Sequence, residues 1–454
     1  MQRNLHSIND KQPEVELFAP CKIGDGIVIL DPNSANLLRE KFFLSKINKT
    51  FFIPASGSGS RMFEFLFDFL EEPTEENRSA VERFLNHVED FAFFYQLPAQ
   101  VQEQLRERTM DIEQFVSYIL NNNGMGLAHL PKGLIPFHKY GPFLLNPFHE
   151  HVLQGLAATN DSCSFHFTIQ TKFQSAIQEQ LNFLTGLTGK QLNIDFSIQN
   201  PQSDTQTFYT DGTQVIKEDG NPLVRPAGHG ALLENLQSID SELIFIKNID
   251  NVQHLEDSET AIETIQTLGG LNLHIQEKIQ EILNNPTIEA INELNAEFAL
   301  FHENELNTSL DNIIDLLKRP LRVCGMVRNE GQPGGGPFWI KDGDSITKQI
   351  VEKAQINLRG DQYRVMIQST HFNPVFMACQ GKMYDGSKIK FEKYCDESKY
   401  FIVNKRYQGK PIRFIELPGL WNGSMAFWNT VFVEIKSEAF SPVKTILDLL
   451  NPAH

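Results

Sequence analysis

The sequence predicts an α/β protein with a mostly parallel central sheet and helical insertions. Short apolar runs such as KTFFIPA (Lys49 to Ala55), SFHFTI (Ser164 to Ile169), IDFSI (Ile194 to Ile198) and ELIFIKNID (Glu242 to Asp250) supply the strands. Helical patterns alternate with them, as in a parallel α/β sheet. A tract over 252–320, rich in Leu, Ile, Asn and Glu, supplies a second helical element.

The first apolar run ends in the Gly-rich loop Ser56 to Ser60, SGSGS, as a buried strand entering a turn would. From about Glu75 to Phe94, Val81, Phe84, Leu85, Val88 and Phe91 recur at helical spacing, with Glu75 and Glu76 where the helix dipole favours acids. A second helical pattern runs through Leu120 and stops at Asn121-Asn122-Asn123-Gly124. After Arg322 the chain returns to β-like runs at Val365 to Ser369, Tyr400 to Asn404 and Thr430 to Ile435, broken by the turn GQPGGGPF at Gly331 to Phe338.

Composition narrows the function classes. At 454 residues, 41% hydrophobic and 21% charged, the chain is ordinary globular material and long enough to bury a core without staples. Its 35 phenylalanines read as core filling. A net charge of −17 repels polyanions, which argues against nucleic-acid and anionic-membrane partners and requires that a phosphorylated substrate meet local positive charge. Cys21, Cys163, Cys324, Cys379 and Cys395 are scattered without a C-x-x-C pair, a pattern suited to a reducing cytoplasm. The stretch MQRNLHSINDKQPEVELF has no apolar core of a secretory signal. No uninterrupted apolar run reaches the roughly 18 residues that a membrane span needs.

Several segments can carry chemistry. In Ser56, Gly57, Ser58, Gly59 and Ser60 the glycines let backbone amides approach an anion, and Arg61 adds a guanidinium fork beside them. A tight turn is the alternative, and the loop is no P-loop because G-K-[ST] is missing. Asp250 stands at the carboxyl end of its strand, where open α/β sheets bind ligands and where Mg²⁺ finds a hard oxygen; the alternative is a helix cap near Gln253. His371 and His166 read as hydrogen-bonded core histidines.

The loop Ala55 to Met62 resembles the signature A-[GS]-G-x-G-[TS]-R-[ML] of sugar nucleotidyltransferases, most closely the UDP-sugar pyrophosphorylases. Leu130-Pro131-Lys132-Gly133-Leu134-Ile135-Pro136 resembles their P-K-G-x-x-P motif, although residues 62–131 intervene here where most relatives have a short connection. Asn146 to His151 looks like the helix that follows that motif. Arg225 to Leu232 resembles P-x-G-x-G, Asn248 to Asn251 resembles v-D-N, and Glu438 to Lys444 resembles the E-F-S-P-x-K of UDP-N-acetylhexosamine pyrophosphorylases. The whole sequence is also similar to a bacterial family known as domain of unknown function 4301, which adds no activity of its own.

The resemblance implies a three-layer αβα, Rossmann-like, glycosyltransferase-A-like nucleotidyltransferase fold. It divides the chain into an N-terminal extension (1–48), a nucleotide-binding half (49–251) with a helical insertion (64–124), a second helical insertion (252–320) and a sugar-binding half with the C-terminal region (321–454). It implies a transferase that joins a nucleoside triphosphate to a sugar 1-phosphate and releases pyrophosphate. Lys132 and Lys444 would neutralise the phosphates, Arg61 and the glycine loop would hold the leaving group, and Asp250 would hold Mg²⁺. Gln199, Gly228, His229 and Gly230 would face the nucleotide, and Asn429 and Glu434 the sugar. For Trp421 and Trp428 a sugar face and plain core packing stay open. UTP is favoured by the resemblance alone; base, sugar and oligomeric state stay open. One rival is a glycosyltransferase of the same fold, for which Asp342-Gly343-Asp344 is the nearest D-x-D pair. A second is a non-catalytic nucleotide-sugar-binding protein.

Overall fold

The computed structural model describes residues 13–72, 74–331 and 334–454. The reading of the N-terminus as free of a secretory signal rests largely on residues outside these, and Gln332 and Pro333 of the Gly-rich turn also lie outside them. The chain forms two compact units. Unit 1 comprises the described residues up to Phe52, Ser197–Ile246 and Ile265–Ser437; unit 2 comprises Ile53–Phe196, Lys247–Thr264 and Glu438–His454.

Unit 1 holds most of a large, mostly parallel sheet. Its strands follow the order Lys22–Ile23, Gly26–Val28, Asn429–Glu434, Leu321–Arg328, Phe376–Gln380, Leu243–Lys247 and Lys49–Pro54, the last two running on into unit 2. Leu321–Arg328 pairs parallel to Asn429–Glu434, and Leu243–Lys247 parallel to Lys49–Pro54, while Phe376–Gln380 is the antiparallel exception. Alternation across the pleat gives two covered faces. Phe245 packs edge-on against Phe42 of the helix Pro32–Leu44, with Gly269 of the helix Glu259–Asn284 pressed onto both rings. Ile244 and Ile246 join Leu232, Leu236 and Ile239 on the other face. Three smaller antiparallel sheets complete the unit, Glu16–Pro20 with Gly336–Asp342 and Ser345–Val351, Phe208–Tyr209 with Lys410–Glu416 and Phe401–Tyr407, and Thr205–Gln206 with Val224–Arg225.

In unit 2 the end of the strand Lys49–Pro54 lies beside Ser164–Ile169, where Ala55 N–H donates to the Thr168 carbonyl at 2.9 Å, and Asn193–Ile198 follows as the next strand. The residues after the glycine loop fold as helices Glu64–Glu71, Glu75–Asn86, Ala99–Arg106 and Ile112–Leu120. Thr74 caps the second by accepting from Asn77 N–H, with Glu75 and Glu76 in the first turn. The helical pattern expected to reach Phe94 gives way after Asn86 to short 3₁₀ turns at Val88–Asp90 and Ala92–Gln96, because Phe91, Phe93 and Phe94 all turn inward. Phe84, Phe91, Phe93 and Phe115 stack in one cluster, so the phenylalanine excess does fill cores.

One expected strand is absent. Val365–Ser369 contributes instead to the helix Asp361–Met366, entered through Gly360 at φ +65°, and Val365 and Met366 pack with Leu17 and Phe338. A run of three apolar residues followed by two polar ones does not separate a short strand from a helix end.

Candidate phosphate site

Unit 2 gathers the charged residues of the sequence motifs on one carboxylate. Asp250 follows the strand Leu243–Lys247, all of whose residues are buried, and is 7% exposed. Lys132 Nζ lies 3.1 Å from its Oδ2 and Lys444 Nζ 2.8 Å from the same atom. Lys132 Nζ also donates to the Val443 carbonyl at 2.9 Å, and Val443 N–H returns a bond to the Asp250 carbonyl at 3.0 Å. Burial alone would raise the Asp250 carboxyl, yet the two ammonium groups hold it below its usual value. Burial pulls the Lys132 ammonium down against the pull of Asp250. Lys444 is half exposed and Lys132 almost covered, so the first is free to move and the second is fixed.

The glycine loop is tied to this cluster through backbone. Gly59 N–H donates to the Leu130 carbonyl (3.0 Å) and Lys132 N–H to the Gly57 carbonyl (3.2 Å). A Cβ on Gly59 would stand 2.7 Å from Ile135 Cδ1 and 3.0 Å from the Leu130 oxygen, so only glycine allows the approach. The N–H groups of Gly57 and Ser58 have no acceptor among the described residues, whereas those of Gly59 and Ser60 are turned to Leu130 and to Ser58 Oγ. Arg61, exposed at the start of the turn Ser60–Phe63, has no ion pair among the described residues.

Several supporting residues carry no sequence signal. Asn251 Oδ1 accepts from Ser441 N–H (3.1 Å), and Gln253 Nε2 donates to Ser441 Oγ (3.0 Å), which fastens Glu438–Lys444 beside Asp250. Asp448 Oδ2 caps Lys444 N–H and Thr445 N–H. His151 Nε2 meets the Asn248 and Ile249 carbonyls at 3.2 Å each. Buried Lys247, near the Gln154 amide, has its ammonium pushed down by burial to about 7. Asn251, His151 and Ser441 stood inside motif segments without a role of their own, while Gln253, Asp448 and Lys247 become visible only once distant segments meet.

The remaining motif residues belong to unit 1. Gly228 has φ +72°, and a Cβ on Gly230 would strike the Pro418 carbonyl at 2.1 Å. His229 is packed, stacked 4.1 Å from Trp421 with its Nδ1 accepting from Leu420 N–H. Gln199 follows the strand Asn193–Ile198 and is half-buried. Glu434 Oε1 is held by Arg328 Nε at 3.0 Å and His371 Nε2 at 3.3 Å. Asn429, 4% exposed, spends its amide donors on the Leu316, Leu317 and Arg319 carbonyls at the end of the helix Leu310–Leu317. Asn429 and Glu434 stand at opposite ends of one strand, roughly 16 Å apart, too far for one monosaccharide to touch both. Trp428 stacks on Phe391 in the core. Asp342 of the D-x-D pair faces Lys399 at 4.0 Å, and no cluster of His, Cys, Asp or Glu suited to a metal occurs among the described residues. No helix among them is long and apolar enough to cross a membrane.

The family model described as Domain of unknown function (DUF4301) matches residues 1–454. The chain belongs to that family. No curated protein matches this DUF4301 chain. Among solved structures it is similar to a UDP-glucose phosphorylase from Trypanosoma brucei, at 12% identity and TM-score 0.46, covering 96% of this chain and 69% of that one. It is also similar to a putative UDP-N-acetylglucosamine pyrophosphorylase from Entamoeba histolytica, at 12% identity and TM-score 0.44, covering 94% and 82%. A mutant UDP-glucose pyrophosphorylase from Leishmania major matches at 12% identity and TM-score 0.45, covering 96% and 69%.

Proposed function

We propose that this protein is a sugar-1-phosphate nucleotidyltransferase that uses UTP and releases pyrophosphate. The observation that carries the reading is the convergence of Lys132 and Lys444 on one oxygen of buried Asp250, beside a glycine loop with two free amides. Two ammonium groups touch one carboxylate oxygen, with the Asp448 carboxylate acting on Lys132 without touching it, which concentrates positive charge at this point of a chain whose net charge is −17. Phosphoryl-type transfer to a sugar phosphate needs that surplus and little else, since the nucleophile is already an anion and no general base is required.

Mg²⁺ fits the residues through Asp250 Oδ1, a buried oxygen with no hydrogen-bond partner among the described residues. One carboxylate with phosphates and water completing the shell is a usual way of holding this ion. When bound, it would supply charge neutralisation across the nucleotide phosphates and the sugar phosphate. In that state Lys132 and Lys444 exchange Asp250 Oδ2 for phosphate oxygens. Lys132, anchored by the Val443 carbonyl, keeps its place; Lys444 swings with its exposed side chain. The Gly57 and Ser58 amides and Arg61 take the departing pyrophosphate. In unit 1, Gln199 and the segment Gly228-His229-Gly230 are assigned to the nucleotide, and Glu434, of the two residues named for the sugar, to a sugar hydroxyl through its second oxygen.

Pyrophosphate release with Mg²⁺, assayed over UTP, GTP, CTP and dTTP against a panel of sugar 1-phosphates, tests the reading. Turnover with one pair that disappears on chelation is the expected result. Undiminished turnover by Lys132→Ala and Asp250→Ala proteins would remove the residue assignments, and nucleotide-sugar binding without turnover for every pair would turn the protein into a sensor.

A further inference from the structure

We propose that unit 1 carries a second binding site, independent of the phosphate site, for an uncharged saccharide. The site is a cleft of about 980 Å³ lined wholly by unit 1 residues, at the upper end of the size that small-molecule sites occupy. One wall is the hairpin of Gly336–Asp342 and Ser345–Val351, paired along its whole length and therefore preformed. Helical residues of 304–319 and the loop segments around Tyr394 and Phe427 make the others.

The charges decide the ligand class. Acids outnumber bases in the lining, with Glu305, Asp315, Asp342, Asp344 and Asp396 against Lys318, Arg319 and Lys399. Lys318 pairs with Asp315 at 3.0 Å and Lys399 lies between Asp396 (3.7 Å) and Asp342 (4.0 Å), while Arg319 lies in the field of Glu305, whose carboxyl burial raises to about 7. That excess of acid, which includes the Asp344 carboxylate without a partner among the described residues, repels a phosphate. Nucleotides and sugar phosphates, the ligands of the other site, are thereby disfavoured here.

Apart from Asp344, the groups left open are neutral. The amides of Asn304 and Asn307 and the hydroxyl of Thr347 have no partner among the described residues. Beside them stand two half-buried rings, Tyr394 and Phe427, held together by a Phe427 N–H to Tyr394 carbonyl bond of 3.1 Å. Planar amides that both donate and accept match vicinal hydroxyls, and ring faces match the C–H face of a pyranose. An apolar ligand would leave those amides unpaired, at a cost that favours a polyhydroxylated one.

Saturation-transfer NMR on the full chain, with maltose, cellobiose and diacetylchitobiose as probes and glucose 6-phosphate as competitor, tests the proposal. Transfer to at least one neutral disaccharide is expected. It should weaken roughly tenfold or more in Phe427→Ala and in Asn307→Ala, the latter an exposed change that leaves the thermal midpoint unaltered. It should persist in Asp250→Ala, so that failure of the nucleotidyltransferase reading and failure of this one are told apart. Absence of transfer to all three sugars, transfer undiminished in both variants, or displacement by glucose 6-phosphate overturns the proposal.

Discussion

Two polar regions of this molecule use similar residues to opposite ends. Around Asp250, two lysines share one carboxylate oxygen, so direct contacts leave the cations in excess, with Asp448 acting on Lys132 only at a distance. Around Tyr394 and Phe427, two lysines are paired with acids, acids outnumber bases, and apart from Asp344 the open groups are neutral. The number of cations therefore says little about what a site binds. What counts is the number left after internal pairing, together with how far burial prevents water from satisfying them.

The largest test of this contrast removes the surplus. Lys132→Ala should lower kcat/KM for pyrophosphate release by about a thousandfold, near 4 kcal/mol of transition-state stabilisation, while Lys444→Ala, half exposed in the resting state, should cost less. Equal losses would show that the two lysines are interchangeable and break the distinction between fixed and mobile charge. Next in size is Gly59→Ala. Its Cβ would press on Ile135 and the Leu130 carbonyl, and a loss of about 1–3 kcal/mol in denaturant unfolding is expected, whereas Gly57→Ala, with nothing within 4 Å, should stay within about 0.5 kcal/mol.

A third test uses pH. Burial, reinforced by Lys247, pushes His151 down to about 3, below the ordinary value of 6.5. The unfolded chain therefore takes up a proton that the folded one refuses, and the stability contributed by neutral His151 is present above pH 6.5 and lost as pH falls toward 3. Wild type should lose about 1.4 kcal/mol more per pH unit in that window than His151→Gln, read from urea midpoints. Parallel midpoint curves would remove His151 from the acid limb. The smallest effect expected is for Asp344→Asn in the cleft of unit 1, which should leave pyrophosphate release unchanged to within roughly twofold.

Much of the architecture was legible along the chain. Lys49–Pro54, Ser164–Ile169 and Leu243–Lys247 are buried strands announced by continuous apolar runs, and Glu75 with Glu76 announced a helix start, whose cap Thr74 the structure adds. Lys132, Asp250 and Lys444 were each legible as motif members, but their meeting on one oxygen was not, because sequence order carries no distance. Asn429 shows the reverse failure. Its place in a motif suggested a sugar contact, while its burial and three carbonyl partners make it the clasp of a helix end. Val365–Ser369 was misread because its packing against Leu17 and Phe338, rather than its own pattern, makes it helical.

The placement of Glu438–His454 in unit 2 bears on how the protein is made. During translation Asp250 emerges 194 residues ahead of Lys444, and Lys132 earlier still. Until Val443 and Lys444 have been made, the Asp250 side chain has one of its two lysines, and Lys132 lacks the Val443 carbonyl that anchors it. The charge centre thus closes only after 194 further residues have followed Asp250, and a nascent chain held on the ribosome at Ser437 carries the glycine loop and Asp250 but not the closed cluster.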